Sequence, residues 1–305
     1  MKYNYRFTVF TPCYNSERFI HRVYDSLKAQ TFKDFEWLVV DDASTDNTLK
    51  ILEGFKNEGK VNMRIVVNET NQMITKNFNI AYSMADSELF VALGHDDSIN
   101  ENTLFKFNEI WQKYKADNIA NICSMVKDQH GNLIGKPFKK DILIDNYFNV
   151  FLENIYTKEK FNCTRTDILK NFLYEDNGMR YIAEGDLWGN LGLQFDTIFT
   201  NEVFRTYYIE EDNLSALTKR SRKQLAESVM HSSIKWINNF LPRIKHGFSF
   251  KLRKYFQFAF YSILEGKGLI RSLKEINRLK DRLIILLLYP IAFFVYVGLK
   301  INKKL

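Results

Sequence analysis

Residues 7–17 read FTVFTPCYNSE, and residues 36–48 read EWLVVDDASTDNT. Each segment begins with apolar, β-branched and aromatic residues, which favour a buried strand, and ends in polar turn formers. A segment of helix length separates the two. Strand, helix and strand in this order predict a βαβ unit, whose two strands lie parallel in one sheet.

This alternation continues to residue 125. It predicts an α/β fold with a mostly parallel, Rossmann-like sheet flanked by helices. Ser44, followed by Asp46 and Asn47, is predicted to cap the second helix through its side-chain oxygen. The predicted strands are Phe7–Thr11, Glu36–Asp41, Met63–Val67, Leu89–Leu93 and Ile119–Met125, and the predicted helices are Ser16–Ala29, Thr45–Phe55, Ile74–Met84 and Thr103–Tyr114.

Polar residues follow three of these predicted strands. Open α/β sheets bind ligands beyond the carboxyl ends of their strands, so we expect the three loops to converge on one crevice. Ordinary turns account for each loop alone, but not for three loops at the same edge. The residues are Tyr14 and Asn15 after the first strand, Asp41 and Asp42 after the second, and Asp96 and Asp97 after the fourth.

The carboxylates of this crevice suit a nucleotide and a divalent ion. An acid after the second strand can accept a hydrogen bond from a ribose hydroxyl or a nucleobase, and Asp41 and Asp42 hold that position. Mn²⁺ and Mg²⁺ prefer carboxylate oxygens together with substrate phosphates. Asp96 and Asp97 are therefore predicted to bind such an ion.

Three segments together resemble the beginning of glycosyltransferase family 2: TPCYNSE at 11–17, QTFKDFE at 30–36 and VDDASTDNT at 40–48. The resemblance covers roughly the first third of the chain. It implies the GT-A fold, a nucleotide-sugar donor that is usually UDP-linked, and Mn²⁺ or Mg²⁺ as cofactor. By this likeness Pro12, Tyr14 and Asp42 contact the nucleoside.

The segment SELFVALGHDD at 87–97 is similar to the family's strand that ends in an Asp-x-Asp metal motif. Gly94 stands where many members have the first acid, and Asp96 stands at the second. The resemblance therefore implies Asp96 as the metal ligand, with Asp97 beside it. Lys76 and His95 are further expected contacts of the donor.

The segment AEGDLW at 183–188 resembles the family's acidic segment that supplies the catalytic base. The resemblance implies Asp186 as this base, with Glu184 as the second candidate. One general base near the acceptor hydroxyl is sufficient for an inverting transfer. Taken alone, the Gly185-Asp186 pair is equally consistent with a helix cap.

The C-terminal part is basic and apolar, and accounts for much of the formal net charge of +7. Lys and Arg recur from Lys219 onward, and an apolar run of about 17 residues, Leu283–Leu299, is framed by cations and contains Pro290. This pattern predicts membrane association, in the plane or as a single span. We predict a catalytic domain at 1–215, with a nucleotide-sugar half at about 1–125 and an acceptor half at about 126–215, and a helical basic membrane-associating region at 216–305 with the apolar segment 283–299.

The three cysteines are widely spaced, and no apolar leader precedes the first strand. Both features favour the cytoplasmic face of the cell membrane. A membrane-linked glycan acceptor would suit this location during assembly of a surface polysaccharide. A glycan on a polyprenyl carrier is one such acceptor. A homo-oligomer is left open.

Three other functions compete with this interpretation. A polyprenyl-phosphate sugar synthase has the same fold and does not need a strong base. An inactive nucleotide-sugar-binding scaffold is suggested by Gly94. Nucleic-acid binding fits the basic, aromatic stretch 251–261, but we expect no nucleic-acid partner, because that stretch leads into an apolar segment.

Overall fold

The computed structural model describes residues 3–153, 159–175, 184–209, 221–244 and 247–302, without the side chains of 151–153 and 184. The chain divides into two compact units. Unit 1 comprises Met1–Glu175 and Gln194–Glu210, and unit 2 comprises Asp176–Leu193 and Glu211–Leu305. Each unit is described by itself below.

The N-terminal half of the sheet of unit 1 is parallel. β1 (Tyr5–Cys13) lies between β2 (Phe35–Asp41) and β4 (Ser87–Ala92), and β3 (Met63–Val67) pairs with β2 at the edge. The helices between these strands are α1 (Ile20–Lys28), α2 (Thr48–Glu58) and α3 (Met73–Met84). The carboxyl ends of β1, β2 and β4 therefore lie at one edge, as predicted from the alternating pattern.

The other half of the sheet is mixed, so the α/β fold is confirmed with fewer parallel pairs than expected. Among the described residues the sheet has ten strands in the order β3-β2-β1-β4-β9-β6-β10-β5, with β7 on β6 and β8 on β10. β9 is antiparallel to both of its neighbours because it enters between β4 and β6 late in the chain. The remaining elements of unit 1 are β5 (Ser98–Ile99), α4 (Thr103–Tyr114), β6 (Ile119–Asp128), β7 (Leu133–Ile134), β8 (Ile142–Asn146), α5 (Tyr147–Glu153), β9 (Phe161–Arg165), α6 (Thr166–Leu169) and β10 (Asp196–Tyr207).

The core of unit 1 lies between this sheet and its helices. Trp37 of β2 is fully buried, and its indole N–H donates to Thr11 Oγ1 over 3.0 Å. The rings of Tyr24 and Phe55 stack with centroids 3.9 Å apart, which joins α1 to α2. Such buried aromatic side chains contribute much of the apolar area that stabilises a fold.

Unit 2 is helical in the residues that the structure describes. α7 (Glu184–Gly192) belongs to it. A Cβ atom placed on Gly189 would lie 2.5 Å from the ring of Phe240, so only glycine permits this close approach. The other elements are α8 (Arg222–Lys235), a π-helical segment (Trp236–Phe240), α9 (Phe248–Leu264), α10 (Leu269–Lys274) and α11 (Leu279–Ile301).

α11 is long and apolar enough to cross a membrane, and 11% of its most apolar window is buried in the protein. Its buried residues Asp281, Ile285 and Ala292 follow one face of the helix. Asp281 accepts hydrogen bonds from Tyr255 Oη over 2.8 Å and from Arg278 Nε. This buried carboxylate therefore ties the start of α11 to α9.

Candidate active site

The loops after β1 and β2 are held together by side-chain hydrogen bonds. Asn15 has a positive φ of 50°, and its Oδ1 accepts from the backbone N–H of Thr45 over 2.8 Å. Ser44 Oγ accepts from the backbone N–H of Asn15 over 3.0 Å and donates to Asp41. Asp41 and Asn15 therefore shape the crevice, and their side chains are hydrogen-bonded within it.

Ser44 does not cap α2, contrary to the prediction. The helix begins at Thr48, and Asn47 precedes it without a side-chain cap. Asp46 Oδ1 accepts from the backbone N–H of Thr48 over 3.0 Å. Ser44 is bonded instead to Asp41, three residues earlier, which a pattern read along the chain does not reveal.

Asp42 is buried and holds the loop that leads into α3. Its Oδ1 accepts from the Gln72 N–H over 2.7 Å and from Asn68 Nδ2 over 2.8 Å, and its Oδ2 accepts from the Met73 N–H over 3.0 Å. Met73 has a positive φ of 69°. Lys76 follows in the first turn of α3. The carboxylate of Asp42 thus brings Lys76 to the same edge of the sheet.

Tyr14 and Pro12 lie at the end of β1. Pro12 is half-buried and is in register with Val40 of β2. Tyr14 is 41% exposed, a large exposure for an aromatic side chain beside a polar crevice. Its ring is therefore accessible for stacking on a planar ligand.

Gly94, Asp96 and Asp97 follow β4. A Cβ atom placed on Gly94 would lie 3.1 Å from Asp96 Oδ1 and 3.2 Å from Asp97 Oδ2. Two carboxylate oxygens thus converge over the position that a side chain would fill. This small space, lined by oxygen, is the part of the crevice best suited to a cation.

Arg205 of β10 contacts this carboxylate pair. Its Nε lies 3.5 Å from Asp97 Oδ2, and its Nη2 donates to Glu159 Oε2 over 2.8 Å. Burial raises the pKa of Asp97 to about 7, although Arg205 acts in the opposite direction. Sequence patterns offer no signal for Arg205, which is more than 100 residues away along the chain.

Arg22 and His95 complete the edge. Arg22 Nη1 donates to the backbone oxygen of Asp96 over 3.3 Å, and its guanidinium lies 4.2 Å from the centre of the Tyr208 ring. Burial lowers the pKa of His95, whose ring lies beside Phe19. His95 is therefore favoured in its neutral form.

The residues present fit a divalent ion bound jointly with a ligand's phosphates. No group of three or more Asp, Glu, His and Cys residues in the described part of the chain could hold a metal alone. Magnesium-type ions are often bound by one or two carboxylates, with substrate phosphates completing the coordination. Asp96 Oδ1 and Asp97 Oδ2 supply that minimum, and Arg205 already neutralises part of the charge on Asp97.

Asp186 lies in unit 2, on α7, and is 2% exposed. Its Oδ1 accepts from Ser232 Oγ of α8 over 2.6 Å, while its Oδ2 has no hydrogen-bond partner among the described residues. Burial raises the pKa of Asp186, and it lowers the pKa of nearby Lys254 to about 8. The backbone of Glu184 begins α7, but its side chain lies outside the described atoms.

These observations define a class of protein: an α/β protein with an acidic crevice at the carboxyl ends of parallel strands, where such folds bind nucleotides. Residues 8–170 match the Glycosyl transferase family 2. The poly(ribitol-phosphate) beta-N-acetylglucosaminyltransferase TarS of Staphylococcus aureus (strain MW2) is 41% identical over 222 residues, which cover 71% of this chain and 35% of TarS. The chain belongs to glycosyltransferase family 2.

Solved structures show the same fold. A fragment of Staphylococcus aureus TarS in complex with UDP-GlcNAc has a TM-score of 0.65 at 21% identity, over 96% of this chain and 80% of that one. The mannosyltransferase PcManGT of Pyrobaculum calidifontis, in complex with GDP-Man and Mn²⁺, has a TM-score of 0.55 at 13% identity, over 97% of this chain and 84% of that one. The chain spans about a third of the length of the curated TarS relative.

Proposed function

We propose that this protein transfers a sugar from a UDP-sugar to a hydroxyl group of a surface glycopolymer, with inversion at the anomeric carbon. The observation that carries the proposal is the convergence of the loops after β1, β2 and β4 on one acidic crevice, within the residues that match the family. UDP-GlcNAc is the first donor to test and a poly(ribitol-phosphate) the first acceptor, by analogy with TarS.

In this proposal unit 1 binds the donor. Tyr14 stacks beside the uracil ring, and Pro12 packs against the nucleoside. Asp42 orders the loop before α3, and Asp41 and Asp42 are the proposed acceptors for a ribose hydroxyl or a base N–H. Lys76 and His95 lie at the same edge and face the donor's diphosphate and sugar.

Mn²⁺ or Mg²⁺ would be held by Asp96, with Asp97 as the second carboxylate. When bound, such an ion neutralises the charge that develops on the departing diphosphate. Arg205 offsets part of the negative charge of the free carboxylate pair and favours the ionised form of Asp97. Arg22, fixed against Tyr208, adds a positive charge at the rim of the crevice.

Asp186 is the proposed general base. Its Oδ2 takes the proton of the acceptor hydroxyl as the hydroxyl oxygen bonds to the anomeric carbon and the bond from that carbon to UDP breaks. A raised pKa makes this carboxylate a stronger proton acceptor, and the hydrogen bond from Ser232 fixes its orientation. Glu184 is the second candidate for the same role.

The proposed location is the cytoplasmic face of the cell membrane, where α11 associates with the bilayer. The apolar composition and exposed side chains of α11 support its association with the bilayer. The donor nucleotide is cytoplasmic in this arrangement, and the acceptor grows at the membrane surface. A polyprenyl-linked glycan is one such acceptor.

A transfer assay tests the proposal. Purified full-length protein is incubated with Mn²⁺, a panel of UDP-sugars and synthetic poly(ribitol-phosphate), and product is detected by mass spectrometry. We expect a sugar-modified polymer with one UDP-sugar and none with EDTA. Donor binding without transfer to any acceptor, including polyprenyl phosphate, would contradict the proposal and support the scaffold alternative that Gly94 suggests.

A further inference from the structure

A groove of about 630 Å³ runs between α9 and α11 in unit 2. Ile284, Leu287, Leu288 and Ile291 line its α11 wall. Their spacing of i, i+3, i+4 and i+7 places them on one helix face over about 10 Å. This length matches a stretch of one hydrocarbon chain.

The facing wall from α9 has the same spacing. Phe248, Lys251, Leu252 and Tyr255 line it at i, i+3, i+4 and i+7. Phe248 is 79% exposed and Leu287 of the opposite wall is 77% exposed. Large side chains this exposed on both walls leave apolar surface that gains free energy when it is covered.

The polar lining of the groove carries an excess of positive charge. Its cations are Lys251, Arg278 and Lys280, and its single carboxylate is that of Asp281. That carboxylate is buried and already bonded to Arg278 and Tyr255, so it does not repel an incoming anion. Lys251 Nζ is fixed at the rim by the backbone oxygen of Ile244.

We infer that this groove binds one anionic lipid, with its phosphate at Lys251 and Lys280 and one hydrocarbon chain along the face Ile284–Ile291. Charge complementarity decides the occupant: an apolar peptide brings no anion to Lys251 and Lys280, and the choline of a zwitterionic lipid cancels the charge of its phosphate. The inference deepens the proposed membrane association and rests on it. The protein then binds the membrane through one defined lipid site in addition to the general insertion of α11.

Two measurements on the full-length protein test this site. The first is flotation with phosphatidylcholine vesicles, with and without phosphatidylglycerol. The second is native mass spectrometry of protein released from detergent, which counts the lipids retained per chain. We expect flotation with both vesicle types, stronger with phosphatidylglycerol, and one retained phosphatidylglycerol per chain.

Matched variants separate the groove from the rest of α11. Leu287→Gln alters the groove wall, whereas Leu286→Gln alters an exposed leucine of the same helix outside the groove. Lys280→Gln and Lys274→Gln form a similar pair, because both lysines are exposed and only Lys280 lines the groove. We expect Leu287→Gln and Lys280→Gln to lower lipid retention at least fivefold, and the two controls to leave it unchanged.

Each failure has a distinct signature. Flotation without a retained lipid, equal retention of phosphatidylcholine, or equal losses in both members of a pair would overturn the lipid site while leaving membrane association intact. Absence of flotation with either vesicle type would overturn membrane association and the lipid site together, without bearing on sugar transfer. A dimer that Leu287→Gln dissociates would show that a second copy fills the groove, and would also overturn the lipid site.

Discussion

At the scale of single residues, two carboxylates of this chain are controlled by partners far away in sequence. Ser232 donates to Asp186 from a helix 46 residues later. Arg205 contacts Asp97 from β10. Both partners tune the charge of a side chain that the proposed reaction uses, so each supports a prediction with a defined sign.

Replacing Ser232 by alanine is expected to move the acidic limb of the pH–rate profile to higher pH. The hydrogen bond stabilises the charged form of Asp186 and lowers its pKa, so its loss raises the pKa and reduces the deprotonated fraction at a given pH. Hydrogen bonds to charged groups contribute roughly 1.5–3 kcal/mol, so the loss of kcat/KM at the acidic end should be tenfold or more. Transfer rates between pH 5 and 9 measure it.

Ser233→Ala is the matched control for this change. Ser233 is a buried neighbour on α8, but its Oγ donates to the backbone oxygen of Val229. Its variant should keep the wild-type pH profile. An acidic limb that moves equally in both variants, or in neither, would mean that Ser232 does not act through Asp186.

Replacing Arg205 by glutamine is expected to strengthen Mn²⁺ binding in the absence of donor at a pH well above 7, where Asp97 stays deprotonated without the arginine. The change removes a positive charge 3.5 Å from Asp97 Oδ2, which competes with the ion for that carboxylate. A gain on the order of 1 kcal/mol, about fivefold in affinity, follows from Coulomb's law at a partly screened site. Electron paramagnetic resonance of free Mn²⁺ measures the affinity.

Arg165→Gln provides the control for Arg205. Arg165 is the last residue of β9 and pairs with Asp167. None of its hydrogen bonds within the described part of the chain reaches Asp96 or Asp97. This variant should bind Mn²⁺ as the wild type does. Weaker binding in Arg205→Gln, with an unchanged melting temperature, would contradict competition between Arg205 and the ion.

Much of the crevice was predictable from sequence, because Asp41 ends β2, Asp42 follows it, and Asp96 and Asp97 come soon after β4. The sequence did not reveal which of these side chains are already hydrogen-bonded or ion-paired within the protein. The bonds of Asp42 to Gln72 and Met73, and of Asp97 to Arg205, depend on the strand order and on loop geometry. Such long-range pairs leave no pattern among residues that are neighbours in the sequence.

At the scale of elements, the predicted strands and helices of the first 125 residues are confirmed, with shifts at helix starts. α1 begins at Ile20 and not at Ser16. The backbone N–H group of Ser16 is bonded to Thr48, the first residue of α2, and that of Glu17 to Asp46 of the loop before α2. Helix periodicity identifies the apolar face of a helix well. It does not reveal where a loop takes the backbone N–H groups of the first turn.

Replacing Gly189 by alanine should destabilise unit 2 by about 1–3 kcal/mol, because the new methyl group would overlap the ring of Phe240. Gly185→Ala in the same helix meets nothing within 4 Å, and alanine favours a helix by roughly 1 kcal/mol over glycine. Chemical denaturation of both variants measures the difference. Equal or greater stability of Gly189→Ala would contradict the close packing of α7 on the π-helical segment.

At the scale of the whole molecule, the residues proposed for donor binding and the proposed base belong to different compact units. The crevice residues that are assigned to the donor lie in unit 1, and Asp186 lies in unit 2. The sequence predicts one catalytic domain over residues 1–215, with Asp186 in its acceptor half. Within unit 2, α7 packs closely on the π-helical segment where Gly189 meets Phe240, a contact that composition does not reveal.

This division can be tested directly by measuring UDP-GlcNAc binding by calorimetry and sugar transfer on the same preparations of wild type, Asp96→Asn and Asp186→Asn, all with Mn²⁺. The account predicts that Asp96→Asn loses both donor binding and transfer. It predicts that Asp186→Asn binds donor as the wild type does but transfers sugar about 10²- to 10⁴-fold more slowly, as expected for the loss of a general base. Near-normal transfer by Asp186→Asn, or donor binding that is indifferent to Asp96, would contradict the account.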